Sequence, residues 1–228
     1  MKKMFLKSSL ILALVTAGVG CGSSSDDTSR VRVFHASPDA PNVDVLVDGG
    51  RVLENVPYPT ASEFLDVSSG HRQLSVTPTG DSTRVIDARV DLESEVSYLV
   101  IASGKVASIA PIVAPVDGAD VPADSSRVRV LHTAPSAPNV DVYVVANGAS
   151  IRQAQPVLSN VPFGAVSQYL TVPAGKYDVF VTVAGTKTVA IEATGVDLVG
   201  GFRGSVAALD AKGGGAPFAL QILDESAE

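Results

Sequence analysis

Residues 29–45 read SRVRVFHASPDAPNVDV, and residues 126–142 read SRVRVLHTAPSAPNVDV. Thirteen of the seventeen positions are identical at a fixed offset of 97 residues, so the chain opens the same domain twice. In the first copy Val31 and Val33 share a face with His35, while Arg30, Arg32 and Phe34 take the other, the period of a half-buried strand. Ser37-Pro38-Asp39-Ala40-Pro41-Asn42 cannot continue it, because two prolines fix φ and remove donors; a rigid loop is predicted. Val43, Val45 and Val47 then alternate with Asp44, Leu46 and Asp48 as a second strand, closed by the hairpin signal Asp48-Gly49-Gly50.

Further strands are predicted over Arg51 to Leu53, Ala61 to Val67, around Leu74 and Val76, and over Thr83 to Val90, Val96 to Ala102 and Val106 to Ala114. Turns recur about every ten residues and no stretch carries a helical period, the rhythm of a β-sandwich. The second copy repeats the plan. Asn160-Val161-Pro162-Phe163 answers Asn55-Val56-Pro57-Tyr58 at an offset of 105, so the hairpin around Ala146 to Leu158 is eight residues longer. Lys212-Gly213-Gly214-Gly215 is expected to be a mobile turn. The predicted fold is all-β: two tandem antiparallel β-sandwiches of Ig-like, Greek-key type, with seven or eight short strands each. They span 30–114 and 127–228, with an acidic linker at 115–126.

Ahead of the repeats, Lys2, Lys3 and Lys7 precede a mostly apolar run, Leu10 to Val19, too short to span a bilayer comfortably. Residues 1–20 are therefore expected to be an export signal. Gly18-Val19-Gly20-Cys21 resembles the bacterial lipobox, although Gly18 stands where leucine is usual. The resemblance implies cleavage before Cys21 and lipid on its sulfur, and Gly22 after it implies transfer to the outer membrane, periplasmic or outer face. More than one acyl chain gives durable anchoring. Residues 21–29 make a polar tether whose last eight residues reach at most about 26–29 Å.

Without residues 1–20 the chain carries 14 basic against 24 acidic residues, a formal charge of −10. Such a surface repels nucleic acid, which is not an expected partner. Tryptophan is absent and aromatics make up 5%, which argues against an extensive stacking platform for bases or sugars.

The opening strand, HASPDAPNVDV, and the later NVPY and SSG segments resemble a bacterial domain family known as domain of unknown function 4397, over Arg30 to about Ala114 and Arg127 to about Leu223. The resemblance implies an exported or surface-attached protein with tandem β-sandwiches, and it transfers no catalytic residue.

Candidate site residues are those that recur. His35 with Asp44 and His132 with Asp141, each pair nine positions apart, can orient a base or ligate a metal if they meet across the loop, a possible ligand site. The alternative is bracing, in which each imidazole bonds the Pro-rich loop and Asn42 and Asn139 bond the backbone. Arg30 and Arg32 recur as Arg127 and Arg129, on the face away from the core valines. They can blunt an edge strand, bind linker carboxylates between domains, or hold an anion. Asp39, Asp44 and Asp48 are calcium candidates without the regular loop spacing, and no other metal or cofactor is indicated. There is no G-x-S-x-G elbow and no H-E-x-x-H. The expectation is a non-enzymatic envelope lipoprotein binding a protein or polysaccharide; the alternatives are a His/Asp glycan hydrolase and a spacer without ligand.

Overall fold

The alternation of SRVRVFHA becomes β1 (Thr28–Ala36), and both of its faces are buried. Val31 and Val33 enter the core of their own domain, whereas Phe34 enters a second core shared with the other copy. The computed structural model describes residues 27–226. Cys21 and the signal and tether regions before Asp27 lie outside them. Among the described residues no helix is long and apolar enough to cross a membrane.

The first domain continues with β2 (Val43–Val47), β3 (Gly50–Val56), β4 (Thr60–Ala61), β5 (Leu65–Ser68), β6 (Gly70–Pro78), β7 (Ile86–Leu92), β8 (Ser97–Ser103) and β9 (Ala110–Pro115). The second holds β10 (Ser125–His132), β11 (Val140–Ala146), β12 (Leu158–Val161), β13 (Leu170–Pro173), β14 (Gly175–Val183), β15 (Val189–Leu198), β16 (Arg203–Leu209) and β17 (Ala219–Asp224). Each domain has an outer sheet, ordered β3-β2-β6-β7 or β12-β11-β14-β15. Each also has an inner sheet, ordered β4-β1-β8-β9 with β5 also on β1, or β13-β10-β16-β17.

The fold is all-β with two tandem sandwiches, in which the outer sheets are antiparallel and the inner sheets are mixed. β1 runs parallel to β8, with Val33 beside Val100, and β10 runs parallel to β16. The chain leaves β1 for the outer sheet through the proline loop and returns several strands later, so β8 arrives in the same direction. The strand predicted over Ala61 to Val67 splits in two at Ser62. Its N–H bonds Val33 O at 2.8 Å and its hydroxyl accepts Val33 N–H at 3.0 Å, so a side chain replaces a rung of the ladder. Ser167 repeats this on Val130. The strand predicted from Val106 begins at Ala110, because Val106–Ser108 forms a 3₁₀ turn anchored by Val106 N–H on Asp39.

The two inner sheets face each other. Phe34, Tyr58, Leu99, Ile101 and Val116 pack with Leu131, Ala207, Leu209 and Leu223 in one cluster. The sheets thus stack as outer, inner, inner, outer. Polar bonds clamp the seam: Tyr58 Oη donates to Asp210 O at 2.6 Å, and Gly213 N–H to Pro38 O at 2.7 Å. The triple-glycine turn expected to be mobile is therefore pinned against the first domain's proline loop, and Gly215 N–H also bonds the Asp210 carboxylate.

Candidate functional site

His35 ends the core-facing side of β1 and is fully buried. Its Nε2 lies 3.2 Å from Pro41 O, which only accepts, and Ser37 N–H reaches its Nδ1 at 3.4 Å. The neutral ring therefore carries its proton on Nε2. Burial holds the imidazole below its ordinary pKa, opposed by the bond to Pro41. His132 repeats the device, with Nε2 3.0 Å from Pro138 O and a pKa likewise lowered by burial. Its Nδ1 has no hydrogen-bond partner among the described residues. The rings stand edge-on to Tyr58 and Phe163, the last residues of the two N-V-P-x segments.

The asparagine and aspartate of each copy form a separate device. Asn42 Nδ2 donates to Asn55 Oδ1 at 2.9 Å, and Asp44 Oδ1 accepts Asn55 N–H at 2.9 Å and the Thr79 hydroxyl at 2.8 Å. Asn139 bonds Asn160 at 2.9 Å, while Asp141 accepts Asn160 N–H at 2.7 Å and Gly185 N–H at 2.8 Å. Asn55 and Asn160 have φ of 55° and 53°, left-handed values that asparagine tolerates best among residues with a side chain. The backbone bond from Asn55 is the main reason the Asp44 carboxyl titrates below its ordinary value. Among the described hydrogen bonds none joins His35 to Asp44 or His132 to Asp141, because the imidazoles end inner-sheet strands and the carboxylates sit in outer-sheet strands.

The calcium candidates are occupied separately. Asp39 accepts Val106 N–H at 2.8 Å, while Asp48 accepts Gln73 N–H at 2.9 Å and pairs with Arg72 at 3.0 Å. Asp44 is held as described. Among the described residues no three His, Cys, Asp or Glu side chains group as a metal site would require. His71 is exposed, 3.3 Å from Asp91.

The four arginines line the seam between the inner sheets. Arg32 Nε donates to Ser62 O at 2.7 Å, and its guanidinium reaches Asp224 O of the second domain. Arg129 Nη1 donates to Pro115 O of the first at 2.7 Å. Tyr98 pairs with Pro115, and Gly204, at Tyr98's place, pairs with Asp224. The two contacts are therefore equivalent, each arginine reaching the same carbonyl of the other copy. Arg30 stacks on Phe64 at 4.8 Å; Arg127 approaches Tyr169 at 5.6 Å and pairs with Asp117 of the linker.

Around Arg129 the seam becomes polar. Arg129 is 3% exposed and Glu225 fully buried, with Nη2 2.7 Å from Oε1. Ser205 accepts from Arg129 Nε at 2.8 Å and donates to Glu225 Oε1 at 2.7 Å, and Tyr169 Oη donates to Oε2 at 2.5 Å. Burial and the Glu225 carboxylate both push the Tyr169 phenol upward. The counterparts of Ser205, Glu225 and Tyr169 in the first copy are Leu99, Val116 and Phe64, all apolar. Sequence reading missed this network. Tyr169 follows Phe64 by the 105-residue offset, but no residue of the first copy announces Glu225.

Solved structures resemble the chain only distantly. They include a streptococcal virulence factor described by its alpha-glucan binding, 10% identical with TM-score 0.25, over 78% of this chain and 93% of that one. The Bacillus anthracis TIE protein is 11% identical with TM-score 0.26, over 81% of this chain and 34% of that one. CBMbc (family CBM26) of Eubacterium rectale Amy13K, solved with maltoheptaose, is 9% identical with TM-score 0.28, over 88% and 98%. At these TM-scores the likenesses carry no argument. No curated protein matches the chain. A family profile matches residues 29–143 and 144–228, dividing them inside β11, whereas the sheets divide between β9 and β10. Both copies match one profile, and the chain belongs to the family described as Domain of unknown function (DUF4397).

Proposed function

We propose that the protein is a non-enzymatic binding module of the cell envelope, carried by lipid on Cys21 and holding a protein or polysaccharide partner through the loops and edges of its outer sheets. One observation carries this reading. The polar residues that both copies repeat hold the chain's own loops: each imidazole bonds a proline carbonyl and each Asn–Asp pair a left-handed asparagine. Carboxylates engaged by the chain's own donors, as Asp44 and Asp141 are, are poorly placed to abstract a proton. With the inner sheets facing each other, the outer sheets and their hairpins remain to meet a partner.

The test is crosslinking on intact cells, with the wild-type protein beside Cys21→Ala, followed by identification of what is captured. The expected result is a reproducible protein or glycan partner that is lost with Cys21→Ala, together with a lipid mass on the wild-type N-terminal peptide. Absence of any partner from both forms would overturn the proposal.

A further inference from the structure

The second copy carries eight residues between β11 and β12 that the first lacks between β2 and β3, and its own bonds fix them in place. Asn147 Nδ2 and Gly148 N–H donate to the Asp178 carboxylate at 2.8 and 2.7 Å, which pins the start of the insertion to β14. Ile151 is buried and anchors its middle. Lys187, in the turn between β14 and β15, meets it from the other side. Its Nζ donates to Ala154 O at 2.7 Å and stands 4.0 Å from the centre of the Tyr143 ring. Between the insertion and that turn lies a shallow cleft of about 420 Å³, whose walls include Asp141, Tyr143, Arg152, Gln153, Gln155 and Lys187.

The first copy is built differently here. It turns at Asp48-Gly49-Gly50, with Leu46 at the place of Tyr143 and Ser82 at that of Lys187. Its cation is spent internally, Arg51 lying 3.4 Å from the Asp44 carboxylate. In the second copy Asp141 is 6% exposed and accepts Asn160 N–H and Gly185 N–H. Neither Arg152 nor Lys187 forms an ion pair among the described residues, and both are exposed to the cleft's solvent. Lys187 spends one N–H on Ala154 O and keeps others to donate. The exposed Gln153 and Gln155 amides add groups that both donate and accept, as ring hydroxyls require. Tyr143 is buried beneath Lys187, so its ring offers no stacking face and recognition rests on charge and hydrogen bonds. Without residues 1–20 the chain's charge of −10 repels a long polyanion. A single carboxylate feels mainly the two cations beside it, because charges more than about 8 Å away are screened at physiological salt.

We propose that this cleft binds the end of a saccharide chain that carries one carboxylate, the acid held by Arg152 and Lys187 and the ring hydroxyls by Gln153 and Gln155. The inference deepens the outer-sheet binding role proposed above and rests on that reading. The test follows the backbone amide resonances of the full chain carrying Cys21→Ala during titration with cellobiouronic acid, a disaccharide ending in one glucuronic acid. Its methyl ester, which keeps every ring and removes only the charge, and N-acetylglutamate, which keeps the charge without a ring, are titrated beside it. Shifts are expected at residues 152–155 and 185–187 and not at Arg51 or Ser82 of the first copy. The acid should bind about tenfold more tightly than either comparison compound. Arg152→Gln and Lys187→Gln should each weaken the acid about tenfold and leave the ester unchanged. Both side chains are exposed, so loss of fold is not at issue. Absence of shifts, equal shifts in both copies, equal affinity for the acid and either comparison compound, or binding unchanged by both variants would each overturn the proposal. A failed titration beside a partner captured on cells sinks this site alone; binding here with no partner captured sinks the broader reading instead.

Discussion

Arg129 and Glu225 show how much rests on single side chains at the seam. Both are withdrawn from water and matched atom for atom by Ser205, Tyr169 and Pro115 O. Removing one member leaves the other charge buried, so Glu225→Leu should destabilise the protein by about 3–5 kcal/mol. The double variant Arg129→Met with Glu225→Leu should recover most of that loss, since the opposite half of the seam already packs Leu99 and Val116. Urea denaturation of the wild type and the two variants decides it; an equal loss in the single and the double variant would contradict the reading. The histidines give a pH signature. Burial lowers the folded-state pKa of His35 and His132 below 6.5, so the unfolded chain binds more protons just below that value. Their contribution is intact above pH 6.5 and is lost as pH falls from there toward the folded pKa. The carboxylates with lowered pKa, Asp44 among them, act only at lower pH, from 3.8 downward. Stability should therefore fall as pH drops below about 6.5, and the His35→Leu, His132→Leu double variant should lose that part of the fall.

At the scale of elements, the recurring motif is a set of turn clamps. Asn160 is held left-handed by Asp141 and Asn139. Asn160→Ala should lose about 1–2 kcal/mol, the cost of forcing alanine into that region, and Asn160→Gly distinctly less, measured by chemical denaturation. Much of this level was legible in the sequence, because alternation tells which residues share a face and Pro, Gly and Asn tell where strands stop. Alternation does not tell what covers a face. Phe34 read as the outward side of a half-buried strand because its cover, Leu131 and Ala207, lies in the other copy. The parallel pairing of β1 with β8 was not readable either, since register is set by the path of the chain between them. The recurring His, Asn and Asp residues were legible as a set, but their partners were not. His35 and Asp44, nine positions apart, face different neighbours because the proline loop carries the chain from one sheet to the other.

At the scale of the whole molecule, the shared core makes the two sandwiches one unit of stability. Phe34 belongs to the first domain and packs with Leu131 and Leu223 of the second. Phe34→Ala should cost about 3–5 kcal/mol and lower the unfolding midpoint of both domains together. The wild type should melt in one transition, with calorimetric and van't Hoff enthalpies equal; two resolved transitions would show that the domains are only neighbours. The equivalent reach of Arg32 to Asp224 O and of Arg129 to Pro115 O is the geometry of a two-fold homodimer, written into one polypeptide. Joining the partners makes their docking intramolecular, so the linker sets the local concentration and dilution does not open the seam. It also frees the halves from repeating each other. In a true homodimer every substitution appears on both sides, whereas here Glu225 arose opposite no second glutamate, its symmetry position being Val116.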